Sequence, residues 1–262
     1  MNRYQQNGIT LINGDSLLIL PTLAADSVDA VVTDPPYSSG GQSVASKKVA
    51  PQQKYQSALR RAYPELLGDN RDQRTLLIWA TMWLIECLRI AKSGAPLLLF
   101  SDWRQIPVFS DAIQIAGWVW RGLVVWDKTE SARPQIGNYR NQGEFVLMAT
   151  KNKWNPLTSN YLPGVFRHRV NPNEKNHINS KPVPLMEDLL KILPGHSEVV
   201  ILDPFVGGGA TAKACLNTGR QCIGIEQNPE ALRSAIEFIE HGKVIAFSKQ
   251  EQPVPLFEQV TT

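Results

Sequence analysis

The sequence predicts an α/β fold: a mostly parallel, twisted sheet with helices on both faces. Three observations predict it. Strand-like and helix-like segments alternate along most of the chain. Apolar runs such as Val199-Val200-Ile201-Leu202 lead straight into acids. One of those acids opens a glycine-rich stretch before a helix start, the sequence pattern of a strand, turn and helix at a ligand site. In order, residues 9–13 read as a strand, 16–24 as a short helix and 28–34 as a second strand. Residues 38–74 are polar and without clear period, which suggests an inserted mobile loop. Leu76, Trp79, Ala80, Trp83, Leu84, Cys87, Leu88 and Ala91 recur at helical spacing over residues 75–93, and Gly94 follows as a stop. Residues 96–100 read as a buried strand and 106–116 as a helix. Residues 118–126 and 144–149 read as an antiparallel pair flanking a polar connection. Residues 151–180 look irregular. The last third gives helix 183–193, strand 199–202, helix 210–217, strand 221–225 and helix 230–239. Trp79 and Trp83 share an apolar helix face and are read as core, while Trp118, Trp120 and Trp126 alternate as strand residues do.

Composition narrows the classes. A chain of 262 residues with 43% hydrophobic content can bury one sizeable core, so residues 1–262 are expected to form a single domain with inserts 38–74 and 151–180. Net charge is only +3, from 27 basic and 24 acidic residues, so contact with a polyanion must come from local patches. Cys87, Cys215 and Cys222 lack the paired spacing of a zinc site and the even count of a disulfide scaffold. His168 and His177 have no spaced acid or cysteine to share a metal with, and no metal is expected. No apolar run reaches membrane-spanning length and the first residues do not read as a signal peptide, so a cytoplasmic location is expected.

Asp34-Pro35-Pro36-Tyr37 closes the second strand and carries the most specific chemistry. From average residue usage, such a tetrapeptide arises by chance in a chain this long about once in a thousand. It groups a carboxylate, a stiffened carbonyl and an aromatic ring at a strand's carboxyl end. Pro36 fixes the local backbone and makes the Pro35 carbonyl a tertiary amide that points in one direction. That set suits methylation of a planar ring amine. The amine lone pair is delocalised into its ring, and hydrogen bonds from both N–H groups pull the nitrogen towards a nucleophilic, tetrahedral form. Asp34 and the Pro35 carbonyl are the expected acceptors, and Tyr37 is a stacking face.

A second centre is Asp203-Pro204-Phe205-Val206-Gly207-Gly208-Gly209-Ala210-Thr211, after a hydrophobic strand. The glycines permit close backbone approach and the helix start favours an anionic group. Glu226 ends the following strand, where an acid can bind both hydroxyls of a ribose. Gly207, Gly209 and Ala212 also satisfy a dinucleotide-binding turn, so an NAD(P)-dependent oxidoreductase is an alternative of another class. Asp203 and Pro204 immediately before the turn count against it.

Together these residues resemble the amino-methylating DNA methyltransferases that use S-adenosylmethionine, in the permuted arrangement with the catalytic tetrapeptide before the cofactor loop. The likeness runs from about Leu11 to Ile239. Asn13-Gly14-Asp15-Ser16 is similar to the family's acidic turn, which implies Asp15 near the cofactor's adenine. Trp126-Asp127-Lys128 and Tyr139-Arg140-Asn141-Gln142-Gly143-Glu144 look like its later structural motifs. His177-Ile178-Asn179-Ser180-Lys181-Pro182 resembles the segment whose lysine lines the methionine end of the pocket. The implied cofactor contacts are Asp15, Lys181, Asp203, Pro204, Phe205, Gly207, Gly209, Thr211 and Glu226; the implied catalytic set is Asp34, Pro35, Pro36 and Tyr37. The chain departs from the family pattern in reading Gly-Gly-Gly-Ala where Gly-Ser-Gly-Thr is usual, and Ser38 where Asn or Gly is more typical.

The resemblance implies a Rossmann-like methyltransferase fold. Asp at the head of the tetrapeptide leans towards N6 of adenine, with N4 of cytosine the alternative and a catalytically silent binding module a remote one. It further implies a flipped base in double-stranded DNA and direct in-line attack. By analogy, residues 38–74 form a lid and phosphate grip and 151–180 the target-reading segment. Lys47, Lys48, Arg60, Arg61, Arg167 and Arg169 are expected among the DNA contacts, with Lys54, Arg71, Arg74, Lys151, Lys153 and Lys175 further basic residues of the same two segments. The tail Gln252-Pro253-Val254-Pro255-Leu256-Phe257 either docks on the protein itself or is a hook of the kind that binds sliding clamps.

Overall fold

The computed structural model describes residues 3–38, 71–132, 134, 136–170 and 181–242. Among these residues nine strands form one sheet: β1 (Arg3–Gln6), β2 (Ile9–Asn13), β3 (Ala30–Thr33), β4 (Pro96–Ser101), β5 (Val119–Asp127), β6 (Gly143–Thr150), β7 (Val165–Arg167), β8 (Val200–Asp203) and β9 (Gln221–Glu226). Their spatial order is β1-β2-β9-β8-β3-β4-β6-β5-β7. Strands β2, β9, β8, β3 and β4 run parallel, and β6 is antiparallel to both β4 and β5. The helices are α1 (Ser16–Ile19), α2 (Gln73–Ile90), α3 (Ile106–Ile115), α4 (Val183–Leu190), α5 (Ala210–Asn217) and α6 (Pro229–His241).

The central strands β3, β4 and β8 are apolar up to their last residue because both faces are covered. Ala30, Val32, Leu98 and Phe100 pack into the layer holding α4, α5 and α6. Their neighbours Val31, Leu97 and Leu99 point the other way, into the layer of α1, α2 and α3. Helix α2 buries Leu76, Ala80, Trp83, Leu84, Cys87 and Ile90 on one stripe. Trp83 has no exposed surface, and its truncation to alanine would cost about 3–5 kcal/mol. The Asp72 side chain caps this helix by accepting from the Arg74 and Thr75 amides, which starts it two residues before the hydrophobic period does.

Four local features differ from the sequence reading. Strand β1 was not expected; it returns into β2 through Asn7 and Gly8, whose φ angles of 50° and 79° make the two-residue turn that Asn-Gly favours. The segment 151–180 was read as irregular, yet it contributes β7 beside β5. The helix expected over 16–24 stops at Ile19 and tightens into a 3-10 turn over Leu20–Thr22, because Pro21 has no N–H to continue an α-helix. Helix α4 ends at Leu190 rather than Leu193. Most of the expected lid (39–70), part of the second insert (171–180) and the tail with its suggested clamp hook lie outside the described residues.

The topology places the site. From β8 the chain crosses through α5 to β9 on one side, and from β3 it crosses to β4 on the other, so a crevice opens between the carboxyl ends of β8 and β3. Strand β6 runs against β4 with Ser101 opposite Phe145, which brings the first residues of β6 to the same edge.

Candidate active site

At that crevice a cleft of about 1090 Å³, open solvent at its mouth included, is lined by Asp15, Ser16, Asp34, Pro35, Pro36, Tyr37, Arg71, Trp79, Lys181, Asp203, Phe205, Gly207, Thr211, Glu226 and others. Residues more than 160 positions apart in sequence thus share one cavity. Of the expected cofactor contacts, Pro204 and Gly209 are not in its wall. Pro204 gives its carbonyl to the Ser16 hydroxyl. Gly209 makes room: its φ is 86°, and a Cβ there would lie 3.0 Å from that of Ala235. Gly209 therefore lets the turn press against α6 and aim the start of α5 at the cleft.

One half of the cleft holds two carboxylates on neutral donors. The Glu226 oxygens accept from the Gly207 amide at 3.0 Å and the Asn228 amide at 2.7 Å. Burial pushes this carboxyl up to about 7 despite those hydrogen bonds. Each oxygen keeps a second lone pair, enough to accept from two adjacent hydroxyls. Asp203 is buried and accepts from Thr33 Oγ1 at 2.8 Å and the Phe205 amide at 3.0 Å. Burial raises it to about 6, and side-chain hydrogen bonds from Thr211 and Thr33 oppose that rise. Asp15 caps α1 by accepting from the Leu17 amide at 2.9 Å. Phe205 and Trp79, with ring centroids 5.2 Å apart, supply an apolar wall. These groups fit a nucleoside: a ring on the aromatic wall and a ribose on Glu226.

The other half is a closed cluster. Lys181 Nζ lies 2.6 Å from Asp34 Oδ2 and 2.7 Å from Glu144 Oε1. The Tyr37 hydroxyl bonds Asp34 Oδ1 and sits 3.1 Å from Glu144 Oε1. The Tyr37 ring meets Phe109 edge-on at 6.4 Å. Burial raises the Asp34 carboxyl, Lys181 opposes that rise and Glu144 adds to it. Glu144 is lowered: burial works against its charge, but Lys181 and Lys128 prevail.

Sequence reasoning underrated three residues here. Glu144 was only part of a structural motif; the signal was an acid at the start of an apolar strand. Trp79, read as core, is half-buried and lines the cleft, with the Arg71 guanidinium 4.3 Å over its ring. Trp83 alone of that pair is core. Lys181, expected at the methionine end of the pocket, lines the cleft and makes two short contacts there, with Asp34 and Glu144.

Ser38 has a φ of 54°, in the left-handed region that Asn and Gly favour, which accounts for those residues being more typical there. Its hydroxyl accepts from the Arg71 amide at 3.1 Å.

The expected DNA contacts divide. Lys47, Lys48, Lys54, Arg60, Arg61 and Lys175 lie outside the described residues. Arg169 is exposed just past β7. Arg167 is exposed but pairs with Glu130 at 3.0 Å and Asp127 at 3.4 Å. Lys151 is placed at the other end of the sheet, where β6 finishes, and holds Asp26 and the Ala91 carbonyl at 2.7 Å. It and neighbouring Lys153 follow the end of β6 opposite to the one that carries Glu144. His168 bonds Asp188 at 2.7 Å.

Comparison with known proteins agrees with this layout. A putative methylase, YubD, of Escherichia coli K12 is 29% identical over 215 residues, 82% of this chain and 83% of its own. The DNA adenine methyltransferase YhdJ of the same organism is 24% identical, over 89% of this chain and 83% of its own. The solved PvuII cytosine-N4-specific DNA methyltransferase superposes with a TM-score of 0.63 at 15% identity, over 87% of this chain and 85% of that one, a likeness of fold. The family model for DNA methylases of the N6/N4 type matches residues 28–237, and the chain belongs to that family.

Proposed function

We propose that this protein methylates the N6 amine of adenine in double-stranded DNA, taking the methyl from S-adenosylmethionine. The observation that carries the reading is the shared cleft: the Glu226 and Asp203 half, built for a nucleoside, opens onto Asp34, Pro35 and Tyr37. When bound, S-adenosylmethionine supplies an electrophilic methyl on a positively charged sulfur. Glu226 would take its ribose hydroxyls, Phe205 and Trp79 would wall its adenine, and the buried carboxylate of Asp203 would favour its cationic charge.

The acceptor base leaves the DNA stack, at a cost of about a few kcal/mol, and recovers part of it against Tyr37. Asp34 and the Pro35 carbonyl accept from its two N–H groups and draw the nitrogen lone pair out of the ring. Positive charge would grow on that nitrogen as the new N–C bond formed and the methyl C–S bond broke, its electron pair leaving with sulfur as a neutral thioether, and Asp34 would stabilise that charge. The proton then leaves to Asp34 or to solvent. Arg169, exposed just past β7, grips a phosphate. Membership of a DNA methylase family removes the oxidoreductase alternative.

Adenine is favoured over cytosine by the Asp at position 34, and relatives of both specificities exist. Incubation with S-adenosylmethionine and mixed-sequence duplex DNA, followed by nucleoside mass spectrometry, decides it. N6-methyladenine is expected. N4-methylcytosine would reassign the base, and no methylated nucleoside, with cofactor bound, would leave a silent binding module.

A further inference from the structure

Both oxygens of the catalytic carboxylate already hold a donor, which leaves each a single free lone pair and draws charge away from it. Asp34 Oδ2 holds the Lys181 ammonium and Oδ1 holds the Tyr37 hydroxyl, yet the proposed reaction asks the same carboxylate to accept an N–H from the base. Glu144 offers a way out. It lies 2.7 Å from the same ammonium and 3.1 Å from the same hydroxyl, so both donors that occupy Asp34 have a second acceptor within bonding distance. The hydroxyl has one proton and can serve one carboxylate at a time. Lys181 is 7% exposed and Glu144 12%, so water does not readily replace either partner.

We infer that Glu144 and Lys181 are a positioning pair: Lys181 is the counter-ion that aims Asp34, and Glu144 takes up the Tyr37 hydroxyl and retains the ammonium when the acceptor amine arrives. This rests on the methyl-transfer reading and adds to it a role for Glu144 and a different one for Lys181. As the amine approaches, the Tyr37 O–H turns from Asp34 Oδ1 to Glu144, and Oδ1 becomes the amine's acceptor. Lys181 stays between the two carboxylates throughout, so no charge is stranded. The groups facing Asp34 are Lys181 ahead of α4, Tyr37 on its own segment, Glu144 on β6 and Asp203 on β8; Lys128, 3.4 Å from Glu144, stands behind.

The two members act on Asp34 with opposite sign, which a purely structural role would not produce. The test is the pH profile of single-turnover methyl transfer to duplex DNA, with melting temperature and S-adenosylmethionine affinity measured alongside. Asp34 must be ionised to act, so activity falls as pH drops through its titration. Lys181→Met removes the charge that lowers Asp34 and should move the acid limb up by about one pH unit, with Lys181→Arg restoring it. Glu144→Gln removes a charge that raises Asp34 and should move the limb down, while the plateau rate falls on the order of tenfold because the donors stay on Asp34. If Lys181→Met does not fold, Lys181→Arg and Glu144→Gln carry the test. A limb unmoved by Glu144→Gln, or moved the same way by both substitutions, overturns the pair. A wild-type protein that binds cofactor but transfers no methyl overturns the underlying reading instead.

Discussion

The two ends of the cleft handle the same problem differently. Each gathers two buried or half-buried carboxylates at strand termini along one edge of the sheet. At the Glu226 end the acids rest on backbone amides and hydroxyls, and burial leaves them near 7 and 6. At the Asp34 end a lysine joins them, and Glu144 drops below its usual range. Neutral donors leave negative charge unmatched, which suits a site awaiting a cationic ligand. An internal ammonium opposes the upward push of burial on Asp34, lowers Glu144 and fixes both carboxylates before any substrate is present. The first end is built to bind, the second to react.

Removing Asp34 should separate these jobs most sharply. Asp34→Ala is expected to lower the single-turnover rate by about a thousandfold while S-adenosylmethionine still binds, as measured by calorimetry. Near-normal turnover would erase the distinction. Glu226→Gln should do the reverse, raising the cofactor dissociation constant about ten- to a hundredfold, with the lost activity recovered as cofactor concentration rises.

The raised Glu226 carboxyl adds a pH signature. Its free-state value of about 7 lies above the ordinary 4.5, so the folded protein takes up a proton there. Binding that needs the carboxylate should weaken about tenfold per unit as pH falls below about 7. By the same linkage, this group's contribution to ligand-free stability is present at low pH and is lost as pH rises from 4.5 through about 7; Glu226→Gln should flatten that part of the melting profile. A dissociation constant insensitive to pH across this range would contradict the burial argument.

Smaller effects test the rim. Arg169→Ala should weaken binding to all duplex sequences alike and reduce the slope of log affinity against log salt by about one. Arg167, already paired with two acids, should change that slope less. Ser38→Ala, which removes the buried hydroxyl that accepts from the Arg71 amide, should destabilise the protein by about 1–2 kcal/mol in denaturant titration.

Most of the architecture was legible because β3, β4 and β8 are apolar up to their last residue and α2 keeps a strict helical stripe; those patterns are set by burial on both faces of the sheet. The short edge strands escaped. β7 has three residues and too little period to register, while β1 was overlooked although Asn7-Gly8 carried its turn. At the site, the acids that end strands were legible from position alone: Asp34, Asp203 and Glu226 each close an apolar run. Glu144 opens a strand instead, and only the antiparallel direction of β6 brings it to the same edge. That direction depends on pairing with β4, a long-range contact no local pattern encodes. Trp79 was misjudged for a related reason, since it sits where the helix stripe turns from core to cleft.

The account stands on one claim, that a ligand held at the Glu226 end presents its reactive group to Asp34. A crystal structure with S-adenosylmethionine bound tests it most directly. The ribose hydroxyls should lie on Glu226, with the sulfur-bound methyl directed at the space beside Asp34 and the Pro35 carbonyl. A cofactor bound elsewhere, or with its methyl turned away from Asp34, would contradict the account.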